Sequence, residues 1–168
     1  MAGKDLILQP SEYDLGNVIA DLEEIRKFNL QRFEMEQLTA ICHIDRERQT
    51  CVGYKDVTHD EFWCRGHMPG MPLMPGVIMC EAAAQLCSYL VQKFNLLGTR
   101  AVGFGGLDEV KFRGPVRPGS RLVLMTQLTK SRPNVLIMCR FQGLVDNAVV
   151  VEGIMKGVPL PKEFSAGT

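Results

Sequence analysis

VIMCEAAAQLCSYLVQKFN, residues 77–95, contains no Pro or Gly and is apolar on nearly every side, so it reads as a helix of about five turns. A helix of this kind belongs inside something. Pro75 and Gly76 stand at its entrance, where a fixed φ and a missing side chain suit the first turn. Its polar residues Glu81, Gln85, Ser88 and Gln92 follow steps of four, three and four and form one narrow stripe, with Lys93 alone off it.

Working outward, residues 100–158 read as strands: a run from Val102 to Phe112, then RLVLMTQLTK (121–130), VLIMCRFQGLV (135–145) and AVVVEGIMKGV (148–158). Ser131-Arg132-Pro133-Asn134 and Asp146-Asn147 carry the turn chemistry between them. Upstream, residues 37–58 hold two β-type runs around the charged Asp45-Arg46-Glu47-Arg48, the pattern of a hairpin. Residues 59–76, HDEFWCRGHMPGMPLMPG, form a Pro- and Gly-punctuated loop around a His and the chain's one Trp. Long ordered loops of this kind are often functional. In residues 11–30, Leu15, Val18, Ile19, Leu22 and Ile25 recur at helical spacing behind a possible Ser11 cap, predicting an amphipathic helix. A helical N-terminal extension (about 1–33) and a frayed tail (159–168) would then flank one domain spanning 1–168. The whole predicts an α+β fold, an antiparallel sheet of about six strands around the long helix. Such a helix on a single sheet leaves apolar surface uncovered, so a dimer or larger assembly is expected.

The chain has 168 residues, 46% of them hydrophobic, the composition of an ordinary globular domain long enough to bury a core without metal or disulfide staples. Nineteen basic residues balance nineteen acidic ones, which argues against nucleic acid as a default partner. Residues 1–99 carry a net charge of −5 and residues 100–168 a net charge of +5, so the second half could receive an acidic partner, unless the charges mix on the folded surface. Six cysteines without a C-x-x-C pair suggest a reducing compartment. No run approaches a membrane span and no signal peptide is evident, so a cytoplasmic protein is expected.

His67, in the rigid loop, and Glu81, first in the polar stripe, are the side chains best suited to chemistry. A carboxyl on an apolar helix meets little water, the setting in which such a group holds a proton near neutral pH as a general acid must. An imidazole, which titrates near neutrality, can be the matching base. Between them the amides that open the helix at Gly76-Val77 could grip a carbonyl oxygen, helped by the helix dipole. A base, an acid and an oxyanion site suffice to dehydrate a 3-hydroxyacyl compound. On spacing alone, a loop His is more readily a merely hydrogen-bonded one.

HMPGMPLMPGVIMCEAAAQ, residues 67–85, closely resembles the signature H-F-P-G-x-P-x-M-P-G-V-x-x-x-E-A-x-A-Q of the FabZ-type β-hydroxyacyl-(acyl-carrier-protein) dehydratases. The His-to-Glu step of fourteen residues matches. GLDEVKFRGPVRPG, residues 106–119, resembles that family's G-I-D-x-x-K-F-R-x-P-V-x-P-G-D. The resemblance implies the hot-dog fold, with active sites at a dimer interface and dimers often gathered in threes. It implies that His67 takes the α-proton, that Glu81 protonates the departing hydroxyl, that Gly76 or Val77 holds the thioester carbonyl, and that Gln85, beside the Glu, belongs to the substrate site. The His and the Glu of one site would come from different subunits. The implied substrate is an acyl-carrier-protein thioester, or acyl-CoA, in fatty acid biosynthesis, with no cofactor beyond the carrier's prosthetic arm.

The chain also departs from the family. Where the family has L-P-H-R-Y-P-F-L-L-V-D, residues 30–40 read LQRFEMEQLTA, with Arg32 and Phe33 the main survivors. Met68, Gly114 and Ser120 replace a usual Phe, basic residue and Asp. Other constellations are weaker. His59, Cys64 and His67 lack a fourth ligand and a zinc spacing, so no metal is expected. Nothing in the sequence would activate a Cys64 thiol. Gly103-Phe-Gly-Gly106 precedes a strand, so bulges are expected there rather than a nucleotide loop. Lys111, Arg113, Arg117 and Arg121 could meet the acidic carrier or its phosphate, or form a plain solvated face. The competing readings are a hot-dog acyl thioesterase, which typically lacks the H-x-P-G-x-P loop, and a non-catalytic acyl-thioester-binding or specialised-pathway homologue, which usually lacks the His or the Glu.

Overall fold

A computed structural model describes residues 5–165 of the chain. The apolar stretch is a helix, α2 (Gly76–Lys93), preceded by the short α1 (Leu22–Arg26). The strands are β1 (Ala40–Asp45), β2 (Thr50–Asp56), β3 (Val102–Phe112), β4 (Arg121–Arg132), β5 (Leu136–Val145) and β6 (Ala148–Pro159). They form one six-stranded sheet in the order β1-β2-β4-β5-β6-β3, every neighbouring pair antiparallel. Strands β2 to β6 all contact α2, which gives the hot-dog arrangement of a sheet wrapped around a helix.

The apolar run Leu122–Met125 of β4 follows from burial on both faces of the sheet. Along β4, Leu122 and Leu124 point into the core with Leu86, Leu90 and Phe141, while the alternate residues Val123 and Met125 join a second cluster on the outer face. Residues of the N-terminal segment, Ile7 and Leu8 foremost, cover that outer cluster. Gln142 ties the segment down, its Oε1 accepting from the Ile7 amide at 2.9 Å and its Nε2 donating to the Asp5 carbonyl at 3.1 Å.

The expected helix over residues 11–30 forms only as Leu22–Arg26. Turn chemistry cuts it: the Gly16 amide bonds the Asp14 carboxylate at 2.8 Å, and the Asn17 amide the Asp14 carbonyl at 3.1 Å. Ile19 and Ala20 bond Ile41 of β1 as an extended bridge instead, and Asp21 then caps α1 through the Glu24 amide at 2.9 Å. Val18 and Ile19, two of the apolar residues at helical spacing, are 49% and 44% exposed. The possible Ser11 cap lies inside a 3-10 turn, Pro10–Glu12.

The remaining elements follow the sequence reading. The β1–β2 turn is closed by Asp45, whose carboxylate accepts from the amides of Glu47 and Arg48 at 2.8 and 2.9 Å. Asp146 and Asn147 both have positive φ, 50° and 63°, as a tight β5–β6 hairpin requires. β3 is bulged between Phe104 and Gly106 and again between Asp108 and Lys111. β6 extends to Pro159 and a 3-10 turn follows at Lys162–Ser165, while residues 166–168 of the expected frayed tail lie outside the described residues. Among the described residues no helix is long and apolar enough to cross a membrane.

Candidate active site

The loop that carries His67 is anchored at both ends in the core by Trp63 and Met74, 4% and 1% exposed. Between these anchors its own backbone closes it. The His67 amide bonds the Trp63 carbonyl at 2.8 Å, the Leu73 amide bonds the His67 carbonyl at 2.8 Å, and Met68 and Met71 exchange amide–carbonyl bonds at 3.1 and 2.9 Å. Gly70 turns the loop at φ +76°, a conformation that favours glycine. The peptide between His67 and Met68 is cis. The imidazole Nδ1 lies 2.7 Å from the Leu73 carbonyl oxygen. A carbonyl can only accept, so Nδ1 carries the hydrogen and Nε2 of the neutral ring presents a lone pair.

α2 begins where the loop ends. The amides of Ile78 and Met79 bond the Pro75 carbonyl at 2.9 and 3.1 Å, so those of Gly76 and Val77 lie ahead of the first helical bond. Val77 is 72% exposed although apolar. A Cβ added at Gly76 would sit 2.7 Å from the ring of Phe112, the last residue of β3, so this close approach requires glycine.

Glu81, one turn further on, is half-buried. Its Oε1 accepts from Gln85 Nε2 at 2.7 Å and from Gln31 Nε2 at 3.4 Å. Gln85, only 2% exposed, is a hub: Nε2 also donates to the Met35 carbonyl at 2.6 Å, Oε1 accepts from the Gln37 amide at 2.8 Å, and its backbone carbonyl accepts from Asn29 Nδ2 at 2.9 Å. Glu81 opens onto a cavity of about 70 Å³ between α2 and the β3–β6 edge, whose wall includes Ser88, Cys87, Phe104 and Met155. The two acid–base candidates are therefore held in one chain but not joined: among the described residues no hydrogen bond links them, and His67 is not part of the cavity wall.

Sequence reasoning missed Asn29, Gln31, Met35 and Gln37. Their polar groups follow no period, and the one available hint was that residues 30–40 depart from the family pattern.

One thiol, Cys87, lines the cavity. Cys87 Sγ is 3.0 Å from the Thr126 hydroxyl, and the Cys139 thiol is pushed well above its ordinary range by its hydrogen bond with Cys87 and by burial. All six cysteines are unpaired. Among the described residues no three His, Cys, Asp or Glu side chains converge as a metal site. In the basic cluster, Arg113 pairs with Glu152 (Nε–Oε1 2.9 Å) and Arg121 with Asp56 at 2.6 Å, so two of the four cations are engaged within the chain.

The chain is similar to known proteins in sequence and in fold. Residues 29–154 match the FabA-like domain family. The chain is 34% identical over 148 residues to a 3-hydroxyacyl-[acyl-carrier-protein] dehydratase FabZ of Desulfotalea psychrophila, covering 87% of this chain and 93% of the relative. It is 36% identical over 137 residues to the FabZ of a Hydrogenobaculum species, covering 80% and 91%. Among solved structures it resembles in fold the dehydratase heterocomplex ApeI:P of Xenorhabdus doucetiae, with a TM-score of 0.69 at 13% identity over 83% of this chain and 92% of that one. The E. coli PaaI protein superposes with a TM-score of 0.55 at 16% identity, covering 70% and 80%.

Proposed function

The chain belongs to the FabA-like family, as a FabZ-type 3-hydroxyacyl-[acyl-carrier-protein] dehydratase, and from that premise we propose that His67 and Glu81 carry its reaction in a site completed by a second copy of the chain. The amides of Gly76 and Val77 hold the thioester carbonyl oxygen, with the start of α2 stabilising the negative charge that develops there. His67 Nε2 takes the proton from C2. Glu81 gives a proton to the hydroxyl on C3, the C3–O bond breaks, and trans-2-enoyl thioester and water leave. His67 then releases its proton and Glu81 regains one through solvent, so no co-reactant is needed.

The observation that carries this reading is the 2.7 Å contact between His67 Nδ1 and the Leu73 carbonyl, which presents Nε2 as a base. The Glu81 environment is consistent with it. Two N–H donors converge on Oε1, so Oε2 is the oxygen left to face the substrate hydroxyl. Gln85 then acts by positioning Glu81.

A second copy is supported by the surface around the site. β3 is an edge strand of eleven residues, and Phe104, Phe112, Val77, Met68 and Met71 are all exposed apolar side chains on it or near the helix entrance. Pairing there would bring one copy's loop toward the other's helix, as a homodimer or a trimer of dimers. The substrate class follows the relatives' names, an acyl-carrier-protein thioester, and six unpaired thiols fit a reducing compartment such as the cytoplasm.

The test is hydration of a crotonyl carrier protein, read as loss of the conjugated enoyl thioester absorbance. His67→Ala and Glu81→Gln are each expected to lose the signal while remaining folded. Retention of activity within tenfold of wild type in either variant would overturn the assignment.

A further inference from the structure

We propose that Gln31 is a second positioning residue for Glu81, acting on the carboxylate as it gives up its proton; this rests on the acid role given to Glu81 above. Gln31 belongs to the N-terminal segment, fifty residues away in the chain, and its Nε2 is 3.4 Å from the same Oε1 that Gln85 holds.

The backbone that presents Gln31 is fixed on both sides. Asn29 bonds the Gln85 carbonyl before it, Met35 and Gln37 bond the Gln85 amide after it, and Arg32 donates to the carbonyls of Asn29 and Gln31 at 2.8 and 2.7 Å. Gln31 also forms part of the wall shared by the Glu81 cavity and a small pocket of about 10 Å³ behind it. Its amide is thus set beside the carboxylate by hydrogen bonds of the flanking residues that do not depend on the amide itself.

A packing role does not explain the amide. Gln31 Oε1 is buried and has no hydrogen-bond partner among the described residues. Burying an amide with half its hydrogen-bonding capacity unmet is less favourable than burying an apolar side chain of the same size. Its Nε2 faces the one group in the neighbourhood that changes charge during the proposed reaction. As Glu81 passes from carboxylic acid to carboxylate, hydrogen bonds to Oε1 become charge-assisted and strengthen, so they favour the transition state over the bound substrate. A contact of 3.4 Å without substrate is compatible with one that shortens as charge develops.

The separating property is the opposite sign of two effects. If Gln31 serves Glu81, Gln31→Leu lowers kcat by about tenfold, the scale of one charge-assisted hydrogen bond, with KM changed less than twofold and the melting temperature unchanged or raised. Gln31→Glu keeps the size and polarity, replaces the donor by a carboxylate and lowers kcat further. Gln31→His restores a ring N–H and recovers activity to within about threefold of wild type. The measurement is steady-state kinetics of the full-length protein on a (3R)-3-hydroxybutyryl carrier protein, with thermal melts of each variant and Glu81→Gln in parallel. Wild-type kcat in Gln31→Leu or Gln31→Glu overturns the proposal, as does a kcat loss in Gln31→Leu that comes with a lowered melting temperature and is not recovered by His. Substantial activity in Glu81→Gln instead overturns the acid assignment beneath it, so the two failures are distinguishable.

Discussion

His67 and Glu81 are fourteen residues apart in the chain, yet they are held in place in different ways. The His67 loop is closed by backbone bonds spanning six residues or fewer, from Trp63 to His67, Met68 to Met71 and His67 to Leu73. Glu81 is held by side chains and main chain from residues 29–37, about fifty positions away, gathered by Gln85. The base side is therefore encoded locally and the acid side by tertiary structure. The loop needs only its core anchors Trp63 and Met74 beyond its own closing bonds, whereas the acid side depends on the N-terminal segment being seated.

The most severe way to break the comparison is to remove either chemical group. His67→Ala and Glu81→Gln are each expected to reduce kcat by about 10²–10⁴, the range of general acid–base catalysis. Mixing the two dead proteins sharpens the result. If each site takes its His from one copy and its Glu from the other, random reassociation makes half the dimers mixed, with one of their two sites intact, and about a quarter of wild-type activity returns. No recovery after verified subunit exchange would mean that a single chain supplies both residues.

Gln85→Ala comes next, because it strikes only the tertiary side. It removes the 2.7 Å bond to Glu81 and leaves the Gln37 amide and the Met35 carbonyl without their partner. The buried Gln37 amide so stranded costs about 1–3 kcal/mol, while the exposed Met35 carbonyl can turn to water, so a fall in melting temperature of a few degrees is expected together with a drop in kcat. Hydrogen exchange should quicken in residues 29–37 and stay unchanged in the loop from Trp63 to Leu73. Equal loosening of both would contradict the division drawn here.

This division also explains what the sequence made legible. α2 was readable because nineteen residues without Pro or Gly leave little else to form, and the hairpins because Asp146-Asn147 and Asp45 carry their turn chemistry locally. His67 and Glu81 stood out because each is a polar residue in an apolar or rigid setting within a contiguous motif. The N-terminal segment resisted reading for the same physical reason that it matters. Leu15, Val18, Ile19, Leu22 and Ile25 do fall at helical spacing, but the free edge of β1 offers Ile19 and Ala20 hydrogen bonds to Ile41 that compete with a helix, and no local pattern announces a distant strand edge. Gln31 and Gln37 look like any surface glutamines until the fold lays them against Gln85 and Glu81.

The smallest expected effect concerns how the N-terminal segment stays seated. Besides the Gln85 network, Arg26 at the end of α1 pairs with Glu36 through two bonds, at 2.6 and 2.9 Å. Arg26 is largely exposed, so the pair adds less than its geometry suggests, about 0.2–1 kcal/mol. The hydrogen bond from Arg26 holds the Glu36 carboxyl below its ordinary range. A carboxyl so lowered adds stability that is present above its unfolded-state pKa and lost as the pH falls through its folded value. Arg26→Ala is therefore expected to lower the melting temperature by only a degree or two at pH 7, and the gap from wild type should close on acidification below about pH 4 and narrow in high salt. Its kcat should remain near wild type, because the bonds from Gln85 to Met35 and Gln37 still seat the segment. A large loss of activity in Arg26→Ala would move the main tie of the acid side from the buried amide hub to the surface ion pair.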